Sequence, residues 1–550
     1  MRRRGARRDN VADREESLAL QTECYPISIL PHPSRIFRDY CERSEPLSPF
    51  FPASPRSNLW MRNPSTVLNS NARASLADLL AAQNAHPAAL ANIQRIRQGA
   101  NVVVTGQQVG LFGGPLYTLL KAATAIRKAQ DATAAGSPHV PVFWLATEDH
   151  DFAEVNHVTL PSRRSLQTLT YQGAHPANAP VGGIVFDEQI RLLVDQAEEL
   201  LGAGAGIDQL RASYQSGRTF AQAFGEWIGA AFASHGLVVM DASTRAYHAL
   251  GQNVLRQAIE RPGELRDTLI ERDRLLVDSG YHSQVLVGTQ SSLLFLLDPA
   301  TGARQALKNP SEGKWQAGHQ SYTTQELLSI LDAEPERLSP TALLRPVFQD
   351  AILPTSAYIG GPAEIAYFAQ SQVLYERILG RVTQILPRLT ATLIEPQIAD
   401  VLRRHDLSLP DILQTTTDEV AQRLGARSMP VEGKRKLASA GNALDAELTS
   451  LTQYMSALDV GLGRSGEVAA SKMRYQMNRL RRLAANYQLQ KEASLTRHSE
   501  ALAIALFPNR HPQERLIGAA YFLGRYGEAL TDLLVIEAGQ ECPGHKALFL

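Results

Sequence analysis

An α/β fold on a parallel sheet, with an inserted region and a helical arm, is what three features of the sequence predict. Short β-branched runs alternate with helical stretches over the first 395 residues. Gly-rich turns follow two of those runs. Beyond residue 396, apolar residues recur at heptad spacing. Alternating β and α segments point to a parallel sheet covered by helices, and a/d spacing points to paired helices.

The elements follow in order. Residues 25–60 are rich in Pro and aromatics, and a helical stretch runs from about 76 to 97. Asn101-Val-Val-Val-Thr-Gly106 reads as a short buried strand, because β-branched residues run together and a Gly ends them. A helix from about Pro115 to Gln130 follows, with Pro115 suited to a first helical position. Val140–Leu145 is a second strand, so residues 101–145 form one βαβ unit. A helix over 218–232 precedes a strand over 235–241. Gln284–Val287 and Leu293–Leu297 read as two short antiparallel strands. Residues 343–362 lead into a helix over 363–379. The domains read as a disordered basic extension over 1–24, a first core part over 25–244, an insertion over 245–342 and a second core part over 343–395. An arm over 396–505 and a helical segment over 506–550, packed on the core, complete the chain. In the arm, Leu437, Leu444, Leu448, Leu451, Met455 and Leu458 are one seam, and Met473, Met477, Leu480, Ala484 and Tyr487 the other. The glycine-rich stretch 461–466 reads as the break between two antiparallel helices. An exposed arm of this kind predicts self-association.

Composition excludes several function classes. Lys plus Arg and Asp plus Glu each number 55, so the basic excess of an electrostatic nucleic-acid binder is missing. Hydrophobic residues make up 44% and charged residues 20%, which is ordinary globular usage. No apolar run approaches the ~20 residues of a membrane helix. Three cysteines make neither a disulfide framework nor a CxxC pair, and the expected location is the cytoplasm. Five Arg in the first eight residues are followed by acidic residues rather than an apolar run, which reads as a solvated extension.

Three segments carry candidate chemistry. The turn Thr105-Gly-Gln-Gln-Val-Gly-Leu-Phe-Gly-Gly114 lies between strand and helix. There a helix N-terminus and flexible glycines suit an anion, and tight packing explains the same glycines equally well. It matches no dinucleotide or phosphate-loop consensus. Lys121 lies one and a half turns into the helix. The second segment, Glu148-Asp-His-Asp151 with Asn156 and His157, begins at the carboxyl end of a strand, where open α/β sheets bind ligands. Such a cluster suits amine binding, acid–base work or a metal held by His150, Asp151 and His157, and a solvated acidic loop is the plain alternative. The third segment pairs Arg345 and Gln349 with Tyr358-Ile-Gly-Gly361-Pro-Ala-Glu364, a second Gly-Gly-Pro before a helix. Lys308 and Arg388 are further basic candidates, whereas Ser471-Lys472 falls inside a heptad helix and is set aside.

These motifs, together with Val142–His157, Leu344–Asp350 and Gln513-Glu-Arg515, resemble the bacillithiol biosynthesis cysteine-adding enzyme family from about residue 25 to 550. The resemblance implies a Rossmann-like core with connecting-peptide insertions and a coiled-coil arm for dimerisation. It implies the last step of bacillithiol synthesis, joining cysteine to glucosaminyl malate. Amide formation from a carboxylate is uphill in water, so ATP or ADP is the expected nucleotide; a metal is left open. On position at strand ends, His150, Asp151 and Asp149 are the expected catalytic residues. Thr105, Gly106, Gln107, Gln108, Gly113, Gly114, Trp144, Glu148, Asn156, His157, Arg345, Gln349, Tyr358, Gly361 and Glu364 are the expected substrate contacts. Two other classes stay open: a metal-dependent hydrolase of an N-acyl sugar, and a non-catalytic nucleotide-binding scaffold.

Overall fold

The computed structural model describes residues 21–42, 47–62, 68–162 and 164–550. The basic extension read for residues 1–24 falls outside these up to residue 20, while Thr22–Tyr25 form a strand. The chain divides into two units, one of residues 26–390 with 508–545, the other of 391–507 with the strand segments at 21–25 and 546–550.

In the larger unit, five strands form a wholly parallel sheet: β1 (Asn101–Gln108), β2 (His139–Ala146), β3 (Val238–Asp241), β4 (Thr355–Gly360) and β5 (Gln384–Pro387). Their spatial order is β5-β4-β1-β2-β3. The order reverses between β1 and β4, the place where doubly wound sheets open a crevice at their carboxyl ends. Residues alternate between the two faces of β1. Val102 and Val104 enter the main core, which includes Val140, Val142, Trp144, Phe348 and Ile365. Val103 turns the other way, onto Ala125, Ala129 and Ala132 of helix α1 (Tyr117–Ala134). Strands buried on both faces read as continuous apolar runs, which is why β1 and β2 are visible in the sequence.

Other boundaries differ from the sequence reading. The 76–97 stretch is two helices, Ser70–Ala81 and Pro87–Arg97, with Pro87 opening the second. Residues 284–287 form no strand. The inserted antiparallel sheet instead has the order Gln320–Thr323, Lys314–Ala317, Arg304–Ser311, Ser291–Leu297 and Leu338–Pro340. It follows helices Arg245–Glu260 and Pro262–Asp278. Helix α2 (Pro362–Leu379) starts one residue after Gly361.

In the smaller unit, strands Thr22–Tyr25, His545–Phe549 and Ala391–Ile394 make a three-stranded sheet. Two long helices, α3 (Val431–Leu458) and α4 (Val460–Lys491), pack on each other as a hairpin. The hairpin turns at Asp459, not over 461–466. Asp459 has extended backbone, and its carboxylate accepts the Leu462 N–H at 2.9 Å as an N-cap. Gly463 and Gly466 lie inside α4, where a Cβ would meet Ser456 Oγ at 2.3 Å and Met455 Sδ at 2.9 Å. These glycines bring the helices close together. The seam therefore differs from the heptads read in the sequence. Leu448, Thr452, Ala470 and Met477 are buried, whereas Leu451, Leu458, Met473, Leu480 and Tyr487 are more than half exposed. Among the described residues no helix is long and apolar enough to cross a membrane.

Candidate functional site

The glycine-rich turn after β1 is used for packing. Gly113 has φ +83°, and a Cβ there would sit 2.1 Å from the Trp227 ring. The Gly113 N–H donates to the Tyr214 hydroxyl at 2.9 Å. Pro115 bridges to Gly518, the Leu116 N–H donates to the Ile517 carbonyl at 2.8 Å, and α1 begins only at Tyr117. The Leu116 N–H thus bonds segment 513–518, the Gly113 N–H is taken by Tyr214 and the Gly114 N–H by the Leu111 carbonyl, so these amides do not offer the anion site read for Gly113, Gly114 and this helix start. Thr105 is likewise internal, with its hydroxyl donating to the Ile359 carbonyl at 2.9 Å and tying β1 to β4.

The cleft opens instead above the carboxyl ends of β1, β2 and β4, with a volume of about 500 Å³. Of the expected contacts it gathers Gly106, Gln107, Gln108, Trp144, Glu148, Asp149, His150, Arg345, Gly361 and Glu364. To these it adds Tyr117, Lys121, Arg304, Tyr367, Arg388 and Arg515.

One wall is cationic and braced. The Lys121 ammonium donates to the Gly106 carbonyl and the Gln107 Oε1, both at 2.9 Å, and pairs with Glu364 at 2.7 Å. Burial pulls the Lys121 pKa below its ordinary value despite the Glu364 charge. Glu364 also accepts from the Tyr358 hydroxyl at 2.6 Å and the Gly361 N–H at 2.7 Å. Burial opposes its charge, but Lys121 and these donors hold its pKa below the usual carboxylate value. Glu364 is therefore the brace of the wall and the cap of α2, and Tyr358 is buried behind it. Arg345 donates to the Tyr367 hydroxyl at 2.7 Å. Arg388 is clamped by Glu514, with two bonds of 3.0 and 2.7 Å and both side chains 3% exposed. Arg304 enters from the inserted sheet. It donates to Ser339 Oγ and the Pro340 carbonyl, both at 2.9 Å, and stacks 3.8 Å over the Phe295 ring.

The acidic residues of the lining follow the carboxyl end of β2 and lie next to Arg304. Asp149 accepts from Gln108 Nε2 at 2.7 Å and from the His150 and Asp151 amides at 2.7 and 3.3 Å. Burial works against its charge, yet those bonds and the Arg304 charge leave its pKa below the ordinary value. His150 rests beside Phe295 with its Nδ1 3.4 Å from Arg304. Glu148 pairs with His248, whose Nε2 is 2.9 Å away on a fully buried ring. Burial lowers the His248 pKa, but Glu148 outweighs it and the net shift is upward from 6.5. The pair's contribution to stability is therefore complete below pH 6.5 and fades as pH rises through the higher folded-state value. The stability gap between the native protein and His248→Gln is expected to narrow as pH rises above 6.5 in denaturant unfolding. A gap independent of pH would contradict the pairing.

Five further expected site residues lie elsewhere. Asp151 is exposed and caps the short helix Phe152–Val155 through the Glu154 N–H at 3.2 Å. Asn156 donates to the Tyr171 carbonyl at 3.0 Å. Gln349 is buried in the helix Arg345–Ile352. His157, with Gly114, lines a separate side pocket of about 230 Å³. The geometry thus does not gather His150, Asp151 and His157 as metal ligands. Among the described residues no group of three His, Cys, Asp or Glu side chains stands close enough to hold a metal ion. Lys308, in the strand Arg304–Ser311, is not part of the cleft.

Comparison with known proteins accounts for the whole described length. Residues 20–389 match the model of the "Bacillithiol biosynthesis BshC, N-terminal Rossmann-like domain". Residues 391–550 match the "Bacillithiol biosynthesis BshC, C-terminal coiled-coil domain". A protein of Koribacter versatilis is 43% identical over 96% of this chain and 99% of its own length. One of Solibacter usitatus is 33% identical over 96% and 99%, and one of Salinibacter ruber 31% identical over 90% and 93%. All three carry the name "Putative cysteine ligase BshC". With the two domain models matching residues 20–389 and 391–550 and relatives aligned over nearly their full length, the chain belongs to the bacillithiol biosynthesis BshC family.

Proposed function

We propose that this chain is a cysteine ligase that joins the carboxyl of cysteine to the amine of glucosaminyl malate, with a nucleotide consumed to activate the carboxyl. The observation that carries this reading is the gathering of cationic and acidic groups in one cleft at the sheet's switch point: Arg304 and Arg345 together with Asp149 and His150. Guanidinium groups match carboxylates in a planar, bidentate way, which suits the two carboxylates of a malyl group. Asp149, kept ionised, holds the sugar ammonium. When a substrate carboxylate engages Arg304, the long contact to His150 Nδ1 opens, and that nitrogen takes the proton the amine must lose before attack. The amine nitrogen then bonds to the activated carboxyl carbon, and the carboxyl oxygen leaves on phosphate. The cationic wall supplies the charge that phosphate groups need. The relatives' names support the choice of cysteine. The test is mass-spectrometric detection of the amide product from purified protein, cysteine, glucosaminyl malate and ATP. Product formed with stoichiometric ADP or AMP is expected, and none from folded protein that binds both substrates would overturn the reading.

We also propose that the helical hairpin joins two copies of the chain. Leu451, Leu458, Leu480 and Tyr487 are 54%, 61%, 56% and 62% exposed, large apolar side chains that water disfavours. Sedimentation equilibrium is expected to give a dimer that Leu451→Lys with Leu480→Lys converts to monomer; a native monomer would contradict it.

A further inference from the structure

The side pocket shares one wall with the cleft. Gln107, Gln108, Tyr117, Glu154 and Arg515 line both, and the pocket's remaining lining is Gly110, Gly114, Pro115, Val155, His157, Val158, Thr159, Leu516 and Gly518. Two features of the shared wall are unusual. The Arg515 guanidinium makes no hydrogen bond or ion pair among the described residues, unlike Arg388 and Arg345 nearby. Glu154 has a single side-chain donor, Gln108 Nε2 at 2.9 Å, and that same amide bonds Asp149 at 2.7 Å. The rest of the lining includes Gly110, Gly114, Val155 and Val158, small or apolar residues around a space of about 230 Å³.

We propose that this side pocket is the subsite for a small α-amino acid zwitterion, the donor of the carboxyl group. This rests on the ligase reading and deepens it. Glu154 takes the ammonium, Arg515 takes the carboxylate, and the short side chain lies against Gly110, Val155 and Val158. Sign and size both select against the other substrates. Glu154 with Asp149 behind it repels a phosphate chain, and about 230 Å³ is too small for a sugar carrying a malyl group. Because Arg515 borders both spaces, the bound carboxylate sits at the opening between them and faces the acceptor amine in the larger cleft. The amino acid's own ammonium is turned away onto Glu154, which prevents its competing as the nucleophile.

Isothermal titration of the full chain with L-cysteine, L-serine, 3-mercaptopropionate and cysteamine tests this without turnover. Cysteine is expected to bind, and removing its ammonium or its carboxylate is expected to weaken binding by about tenfold or more, as for a lost charge-assisted contact. Glu154→Gln and Arg515→Gln are each expected to weaken cysteine by a similar factor while glucosaminyl malate affinity changes by less than about threefold. Unchanged cysteine affinity in both variants, or mutually exclusive binding of cysteine and glucosaminyl malate, would overturn the subsite. If the subsite behaves as expected but no amide forms, the ligase reading alone fails. If amide forms with an unaltered cysteine KM in Glu154→Gln, the subsite alone fails.

Discussion

Arg388→Met is expected to destabilise the protein by about 3–5 kcal/mol, the usual cost of breaking a buried ion pair from one side. Arg388 and Glu514 are both 3% exposed and meet through two hydrogen bonds. The methionine fills much of the arginine stem's volume, so the loss reports the broken ion pair rather than a cavity. The double variant Arg388→Met with Glu514→Leu is expected to recover most of the loss, because a buried pair replaced by apolar groups is often neutral. Urea unfolding of the native, single and double variants measures this. A single variant within about 1 kcal/mol of native would mean the pair is solvated. The same contact draws segment 513–518 to the cleft, so the single variant also loosens the wall that presents Arg515.

His150→Ala is expected to lower kcat/KM for ligation by about 10²–10⁴-fold, the range general acid–base groups contribute. His150 lines the cleft between Asp149 and Arg304, and its ring is held by Phe295. Its removal is expected to spare the fold, since the side chain is one-third exposed and makes no short bond. A loss confined to kcat, with KM for both substrates little changed, fits proton transfer. A change in KM alone would assign His150 to binding and leave proton transfer to another group.

Much of this architecture was legible in the sequence, and the failures have physical causes. β1, β2 and β3 announce themselves because both faces are buried and their residues are apolar without a break. β5, four residues ending at Pro387, is too short and too proline-marked to stand out. The heptads put Leu451, Leu458 and Leu480 in the seam because apolar periodicity seeks large side chains. The true seam relies on Gly463, Gly466, Ala470 and Thr452, where small size permits close approach. In the site, Asp149, His150, Arg345 and Glu364 were found because they sit at strand ends or helix starts. Arg304 lies 154 positions from His150 in the chain, on an antiparallel strand whose local pattern carries no sign of the cleft. The glycine-rich turn invited two readings, and the Trp227 ring against Gly113 favours packing. No local pattern distinguishes a glycine that admits a ligand from one that admits a tryptophan.

The most direct measurement of the central claim, that a nucleotide activates the cysteine carboxyl for transfer to an amine, follows the carboxyl oxygens. Cysteine labelled with ¹⁸O at both carboxyl oxygens is ligated to glucosaminyl malate in the presence of ATP, and the products are weighed by mass spectrometry. One labelled oxygen in the amide carbonyl and one in the released phosphate or AMP is the predicted result. Amide product accompanied by unlabelled phosphate and AMP would contradict it.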